Sequence, residues 1–133
     1  MTNILVFVAY LAFFALGVVA GQHSALSTVA LCLSLVCALL WMVARRQLGD
    51  AFSVKPEARF LVTSGLYSKI RHPIYVFGTL AFLFVVFALQ GWAALPIWAI
   101  VIGVQFVRAR REDRVLAATF GDEYAAYRSR TWF

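Results

Sequence analysis

The chain has 133 residues, 63% of them hydrophobic and 14% charged, with a mean hydropathy of +0.84. A soluble domain carries about 25% charged residues, so this composition excludes an ordinary water-soluble fold, and lipid has to be the solvent for much of the surface. The net charge is +6, from 12 Lys and Arg against 6 Asp and Glu; on so apolar a chain that surplus belongs beside anionic headgroups, worth about 1 kcal/mol per basic residue near the surface, and no nucleic-acid partner is inferred.

The length allows one domain, read as an all-α integral membrane protein spanning 1–133: an N-terminal helical hairpin (1–46), a connector (47–72), and a second hairpin with a C-terminal helix (73–133). Ile4 to Ala20, with Met1–Asn3 and Gly21, is long enough to cross roughly 30 Å of hydrocarbon. A cleaved signal peptide competes, because Val18-Val19-Ala20 is small; but no Lys or Arg precedes the run, as a signal peptide requires, and a retained helix is preferred. Gly17 and Gly21 form a small-xxx-small pair that permits close helix approach. His23 is read as a solvated turn residue. Ala25 to Ala44 predicts a second span, in which Ala30, Ser34 and Ala38 line one face as a seam expected against the first helix. Cys32 and Cys37 have no His or acid near them in sequence and are read as packing residues, and no metal site is expected. Trp41 and Met42 approach the interface and Arg45-Arg46 ends the span.

Gln47 to Arg71 is a polar connector of about 25 residues, too long for a simple turn and of a kind often functional. Within it Arg59 to Thr63 is expected along the interface. Pro73 suits the first turn of a third span, Ile74 to Leu89. Gln90 to Trp92 makes a turn, and a fourth span follows, Ala93 to Val107, with Pro96 in its first turn. Arg108 to Tyr127 is expected as a separate charged amphipathic helix, with Val115, Leu116, Phe120 and Tyr124 near one face and Gly121 able to break it.

Charge placement tests this map. All twelve Lys and Arg and all six acids fall in two blocks, 45–71 and 108–130, while the turns near 21–24 and 90–92 carry none. With four spans both blocks lie on one side, which the positive-inside rule makes cytoplasmic, together with both termini. The connector and the C-terminal helix then meet at the same membrane face.

These two blocks carry two motifs. The first is Gly65-x-Tyr67, then Arg71-His72-Pro73-x-Tyr75, with Gly78 inside the next helix. The second is Glu112-Asp113, Leu116, then Phe120-Gly121-x-Glu123-Tyr124-x-x-Tyr127. Together and in this order they resemble the isoprenylcysteine carboxyl methyltransferase and phospholipid methyltransferase superfamily of membrane enzymes, over about residues 48–130. Three features depart from the commoner pattern: Gly78 stands three residues after Tyr75 rather than two, the second acid is Asp113 rather than Glu, and the sequence stops at Phe133 without a Pro-containing tail.

The resemblance implies S-adenosylmethionine as cofactor, held by Gly65, Leu66, Tyr67, Arg71, His72, Pro73, Tyr75 and Glu112. That cofactor has an amine, a cationic sulfur, a carboxylate and a ribose. Acids suit its amine and hydroxyls, Arg its carboxylate, and backbone N–H groups near Gly65-Leu66 an adenine edge. Glu112 shares a helical face with Arg108 at four-residue spacing; Glu112 is read as a cofactor contact, and Arg108 or Arg111 as the holder of an anionic acceptor. The expected partner is a lipophilic or amphipathic acceptor, isoprenylcysteine carboxylate-like or phospholipid-like, entering from the membrane lipids. The Phe-rich wall of Phe77, Phe82, Phe84 and Phe87 suits an apolar tail and is equally ordinary lipid-facing sequence.

Plainer readings stand beside these. Arg71-His72-Pro73 could be a snorkelling helix start, and Glu112-Asp113 a solvated ion-pair face. Tyr124 and Tyr127 are read as interfacial packing, and Trp92, Trp98 and Trp132 as interface anchors. A non-catalytic membrane protein that recruits lipids or partners, and a relative with reductase chemistry, are the alternatives to an enzyme of this class. A homodimer through the first helix is one arrangement left open.

Overall fold

Proline and glycine punctuate the helices. In the computed structural model, which describes residues 2–21, 24–49 and 61–132, four helices follow in order: α1 (Thr2–Ala20), α2 (Ala25–Leu48), α3 (Pro73–Gln90) and α4 (Leu95–Arg130), with short 3₁₀ turns at Gly65–Ser68 and Gly91–Ala94. No strand occurs among the described residues. His23, Arg59 and Phe60 lie outside them. α2 opens on a capping box: the Ser27 N–H donates to Ser24 Oγ (3.2 Å) and the Ser24 N–H to Ser27 Oγ (3.0 Å), so two otherwise orphaned donors are satisfied. Arg45 and Arg46 occupy its last turn, where cations sit favourably beside free carbonyls. α3 begins at Pro73, whose missing N–H costs nothing there, and ends at Gly91, where φ is +59°.

α3 is the spine of the molecule, with α1, α2 and α4 all packed on it. The seam of Ala30, Ser34 and Ala38 faces α3 rather than principally α1. Ser34 is fully buried, and its hydroxyl donates to the Ala81 carbonyl at 2.6 Å while accepting from the Tyr10 hydroxyl at 2.9 Å. Small residues let the α2 and α3 backbones approach closely enough for that bond. α1 joins this pair by its own small residues: a Cβ on Gly17 would lie 3.0 Å from Val85 Cγ1, and one on Gly21 would lie 3.0 Å from the Ala88 carbonyl oxygen. Gly78 is where Trp41 crosses α3, since a Cβ there would meet the indole at 3.0 Å. A core of Ala30, Ala38, Ala44, Ala81 and Ala88 fits association in lipid, where close van der Waals packing replaces the hydrophobic drive between helices.

The outside is apolar. Leu26, Val29, Leu33, Ile100, Ile102 and Phe106 are all exposed, a surface suited to hydrocarbon rather than water. By length and composition two segments are long and apolar enough to cross a membrane, Ala25–Leu48 and the run from Pro73, accompanied by a shorter apolar helix at Phe7–Ala20.

α4 departs from expectation. The fourth apolar stretch and the charged segment are one uninterrupted helix from Leu95 to Phe120, about 39 Å at 1.5 Å per residue. No Gly or Pro stands between Gly103 and Gly121, so nothing ends the helix at Val107. The break at Gly121 does occur, with φ +48° and ψ −118°, a conformation that side-chain-bearing residues rarely adopt. α3 and α4 run antiparallel: the Trp98 indole N–H donates to the Leu83 carbonyl (3.2 Å) near the turn, and Gln105 Nε2 to Thr79 Oγ1 (3.0 Å) two turns further along. Trp98 therefore ties two helices together, whereas Trp92 and Trp132 are exposed.

Gly121→Ala should cost on the order of 1–3 kcal/mol in backbone strain and loosen the segment beyond the break. A lower thermal midpoint in detergent and faster tryptic cleavage at Arg128 are the expected results.

Candidate active site

The site is assembled where the turn before α3 meets the charged end of α4. Gly65, with φ +62°, opens the 3₁₀ turn, and the Leu66 N–H donates to Gln47 Oε1 at 2.8 Å, pinning the turn to the end of α2. The segment after Gly121 then folds back over it. The buried Tyr127 hydroxyl donates to the Tyr67 carbonyl at 2.7 Å, and the Trp132 N–H donates to the Lys69 carbonyl at 2.9 Å.

The centre of the assembly is Asp113. Its Oδ1 accepts from His72 Nε2–H at 2.8 Å and from the Tyr124 hydroxyl, and its Oδ2 lies 3.7 Å from Arg71 Nη1. A carboxylate only accepts, so the contact places the His72 proton on Nε2 and turns Nδ1 toward Glu112, 3.7 Å from its Oε2. Glu112 is the more open acid, with 42% of its side chain exposed against 19% for Asp113. Two neighbouring acids thus differ in role: Asp113 is consumed by internal partners, while Glu112 remains available.

Burial works to raise the Asp113 pKa, but the hydrogen bonds from Tyr124 and His72 and the Arg71 charge outweigh it and hold the carboxyl below its ordinary value. Burial, then the bond to Asp113, pushes the Tyr124 phenol well up. Burial also carries Tyr127 up to about 12 and raises Tyr67. All three phenols stay neutral donors at physiological pH.

Tyr75, in the first turn of α3, packs its ring against His72 with centroids 5.7 Å apart. The Arg108 guanidinium carbon stands 5.3 Å from the Tyr75 ring centroid, within cation–π range, and Glu112 interacts with the same tyrosine. Arg71, His72, Tyr75, Glu112 and Arg108 are therefore gathered at one place, and Pro73 starts the helix that carries Tyr75. Gly65, Leu66 and Tyr67 border it, with the Leu66 N–H engaged by Gln47. Arg111 is exposed and makes no ion pair or hydrogen bond among the described residues.

Sequence reasoning missed Gln47, and it underread Asp113, Tyr124 and Tyr127. The two tyrosines are buried hydrogen-bond donors rather than interfacial packing. Their three-residue spacing after a helix-breaking glycine was the available signal, since it places both on one face of a segment that can turn back.

With this geometry in place, the comparison with known families decides the class. The family described as phospholipid methyltransferase matches residues 24–123. The chain belongs to that family. The phospholipid methyltransferase match takes in α2, Glu112, Asp113, the Arg71-His72-Pro73 motif and most of α4, and it leaves out α1, Tyr124 and Tyr127. This is a family of membrane methyltransferases, and its members generally use S-adenosylmethionine. Neither the curated proteins nor the solved structures gave a match.

Asp113→Asn keeps the shape but loses the charge, and should lower stability by about 1.5–3 kcal/mol, the range for hydrogen bonds to a charged group. Because the carboxyl is more acidic folded than unfolded, its contribution is complete above about pH 3.9 and is lost as pH falls through the folded value. Thermal midpoints measured against pH should drop on acidification in the native protein and follow a flatter curve in the variant.

Proposed function

We propose that this chain is an S-adenosylmethionine-dependent methyltransferase acting on a lipophilic or amphipathic acceptor, phospholipid-like or isoprenylcysteine carboxylate-like, at the cytoplasmic face of a membrane that it crosses four times with both termini inside. The observation that carries the reading is the convergence of two segments forty residues apart: His72 stands between Glu112 and Asp113, 3.7 Å from the one and 2.8 Å from the other. Nothing in helix packing alone requires these polar groups to gather at one end of an apolar hairpin, and ionisable groups at such a place mark function by default.

The residues present fit the cofactor. Arg71 Nε and Nη1 are buried without a hydrogen-bond partner among the described residues, a costly arrangement that an anionic group such as the cofactor's carboxylate would relieve. Glu112, the open acid, suits its amine or ribose hydroxyls. The rings of His72 and Tyr75 offer edges and faces beside them, and Tyr67 and the Gly65-Leu66 turn border the same space. The cofactor, when bound, supplies a methyl group on a cationic sulfur. The chain's part is to bind, orient and exclude water: Asp113 fixes the His72 tautomer and direction, Arg108 and Tyr75 form the membrane-facing wall, and the folded-back tail closes the opposite side. For an in-line displacement such alignment can account for roughly 7–11 kcal/mol of the barrier. Arg108 meets an anionic group of the acceptor, with Arg111 an outer cation on the approach.

Calorimetry of the detergent-purified protein with S-adenosylmethionine and its demethylated product tests this directly. Saturable binding of both is expected, weakened about 10- to 100-fold by His72→Ala or Glu112→Ala, the loss expected for one hydrogen bond to a charged group. Absence of heat from either ligand would sink the reading.

A further inference from the structure

The turn before α3 carries a backbone donor at the edge of the site, and a side chain from another helix covers it. Gln47, exposed in the last turn of α2, takes the Leu66 N–H on Oε1 at 2.8 Å. A backbone N–H only donates, so the amide oxygen faces it and the amide nitrogen lies alongside. The carboxamide also rests against Gly65, where an added Cβ would collide with it. Gly65 thus provides room for this contact as well as the positive φ of +62°.

The turn keeps its shape by other bonds. The Tyr67 N–H donates to the Ser64 carbonyl at 3.2 Å and the Ile70 N–H to the Leu66 carbonyl at 3.1 Å. Ser68 Oγ donates to the Gly65 carbonyl at 2.7 Å, and the buried Tyr127 hydroxyl holds the Tyr67 carbonyl. None of these involves Gln47. An N–H at the start of a helical turn accepts water as a partner equally well, so the Gln47 contact is dispensable for folding the turn.

The turn also borders the open acid. Burial, then the Glu112 charge, raises the Tyr67 phenol, which sets the turn within electrostatic reach of Glu112. With the amino-acid and ribose parts of the cofactor assigned to Arg71 and Glu112, its adenine falls to the turn, where Leu66 N–H is the donor. A primary amide presents one acceptor beside one donor, the same pattern as the adenine edge of N1 and the 6-amino group. The Gln47 carboxamide is therefore a chemical stand-in for the base.

We propose that Gln47 is an intramolecular placeholder: without cofactor its carboxamide occupies the adenine position on Leu66, and it swings out when the cofactor binds. This rests on the methyltransferase reading above and adds to it a competitor built into the chain. A competitor lowers apparent affinity by the fraction of molecules in which the site is covered, so Gln47 sets how tightly the cofactor and its product are held.

The test is calorimetry of the full chain in detergent micelles with S-adenosylmethionine and its demethylated product. Gln47→Ala and Gln47→Leu should each bind both ligands about two- to tenfold more tightly than the native protein, the competition of one neutral hydrogen bond. Gln47→Glu, whose carboxylate accepts the Leu66 N–H more strongly, should bind them more weakly. Nuclear magnetic resonance of glutamine-labelled protein gives a second readout: the Gln47 side-chain amide signals, identified by their loss in Gln47→Leu, should shift to solvent-exposed positions when the native protein is saturated with product. If Gln47 instead only braced the turn, its removal would weaken binding and its amide signals would stay in place. Equal or weaker binding by both neutral variants, or unmoved Gln47 signals, overturns the proposal. If the native protein binds neither ligand, the methyltransferase reading itself has failed; if it binds both and the neutral variants bind no tighter, this inference alone has failed.

Discussion

One carboxylate holds the polar end of this molecule together. Asp113 accepts from His72 at the start of α3, accepts from Tyr124 beyond the Gly121 break, and faces Arg71 in the turn. The turn into α3, the charged end of α4 and the segment beyond Gly121 are thereby tied to one point. In a setting of reduced dielectric such charge-assisted bonds are stronger than in water, and leaving any partner unmet is correspondingly costly. The arrangement also separates the two acids. Asp113 is satisfied internally, which frees Glu112, one residue earlier, to face outward beside His72 and Tyr75.

The membrane part solves a different problem. Lipid gives no hydrophobic reward for bringing helices together, so contact depends on close fit. The chain meets this with small residues on α2 and α3, two glycines of α1 against Val85 and Ala88, and the accommodation of Trp41 over Gly78. The Ser34 bond to the Ala81 carbonyl shows the same economy, since only a short side chain at a close crossing can reach a helical carbonyl. The result is a spine, α3, that carries Pro73 and Tyr75 to the polar end of the hairpin at set positions along one helix.

Much of this was legible from residues alone. Helix starts at Pro73 and near Pro96, the break at Gly121 and the pairing of the two charged blocks all follow from local chemistry: proline lacks an N–H, glycine reaches positive φ, and charges avoid hydrocarbon. The joining of the fourth apolar run to the charged helix was less visible, because a change in polarity looks like a boundary when the backbone has no reason to stop. The direction of the Ala30-Ser34-Ala38 seam was also hidden. A small-residue stripe announces a neighbour without saying which one, and here the neighbour is α3.

The site divides in the same way. His72, Tyr75, Glu112 and Arg108 are marked by their residue types at the mouth of an apolar helix, and the linear order of the motifs was enough to expect them together. The amino-acid order also settles the helical class, the apolar exterior and the clustering of every charge into two blocks, since each depends on local propensity or on summed transfer energy. Which acid is tied and which is open, which nitrogen of His72 carries the proton, and how Tyr124 and Tyr127 return across Gly121 to lock the turn emerge only from the folded chain. Those features depend on distances between residues far apart in sequence, and hydrogen bonding changes over tenths of an ångström that no pattern of residue types encodes.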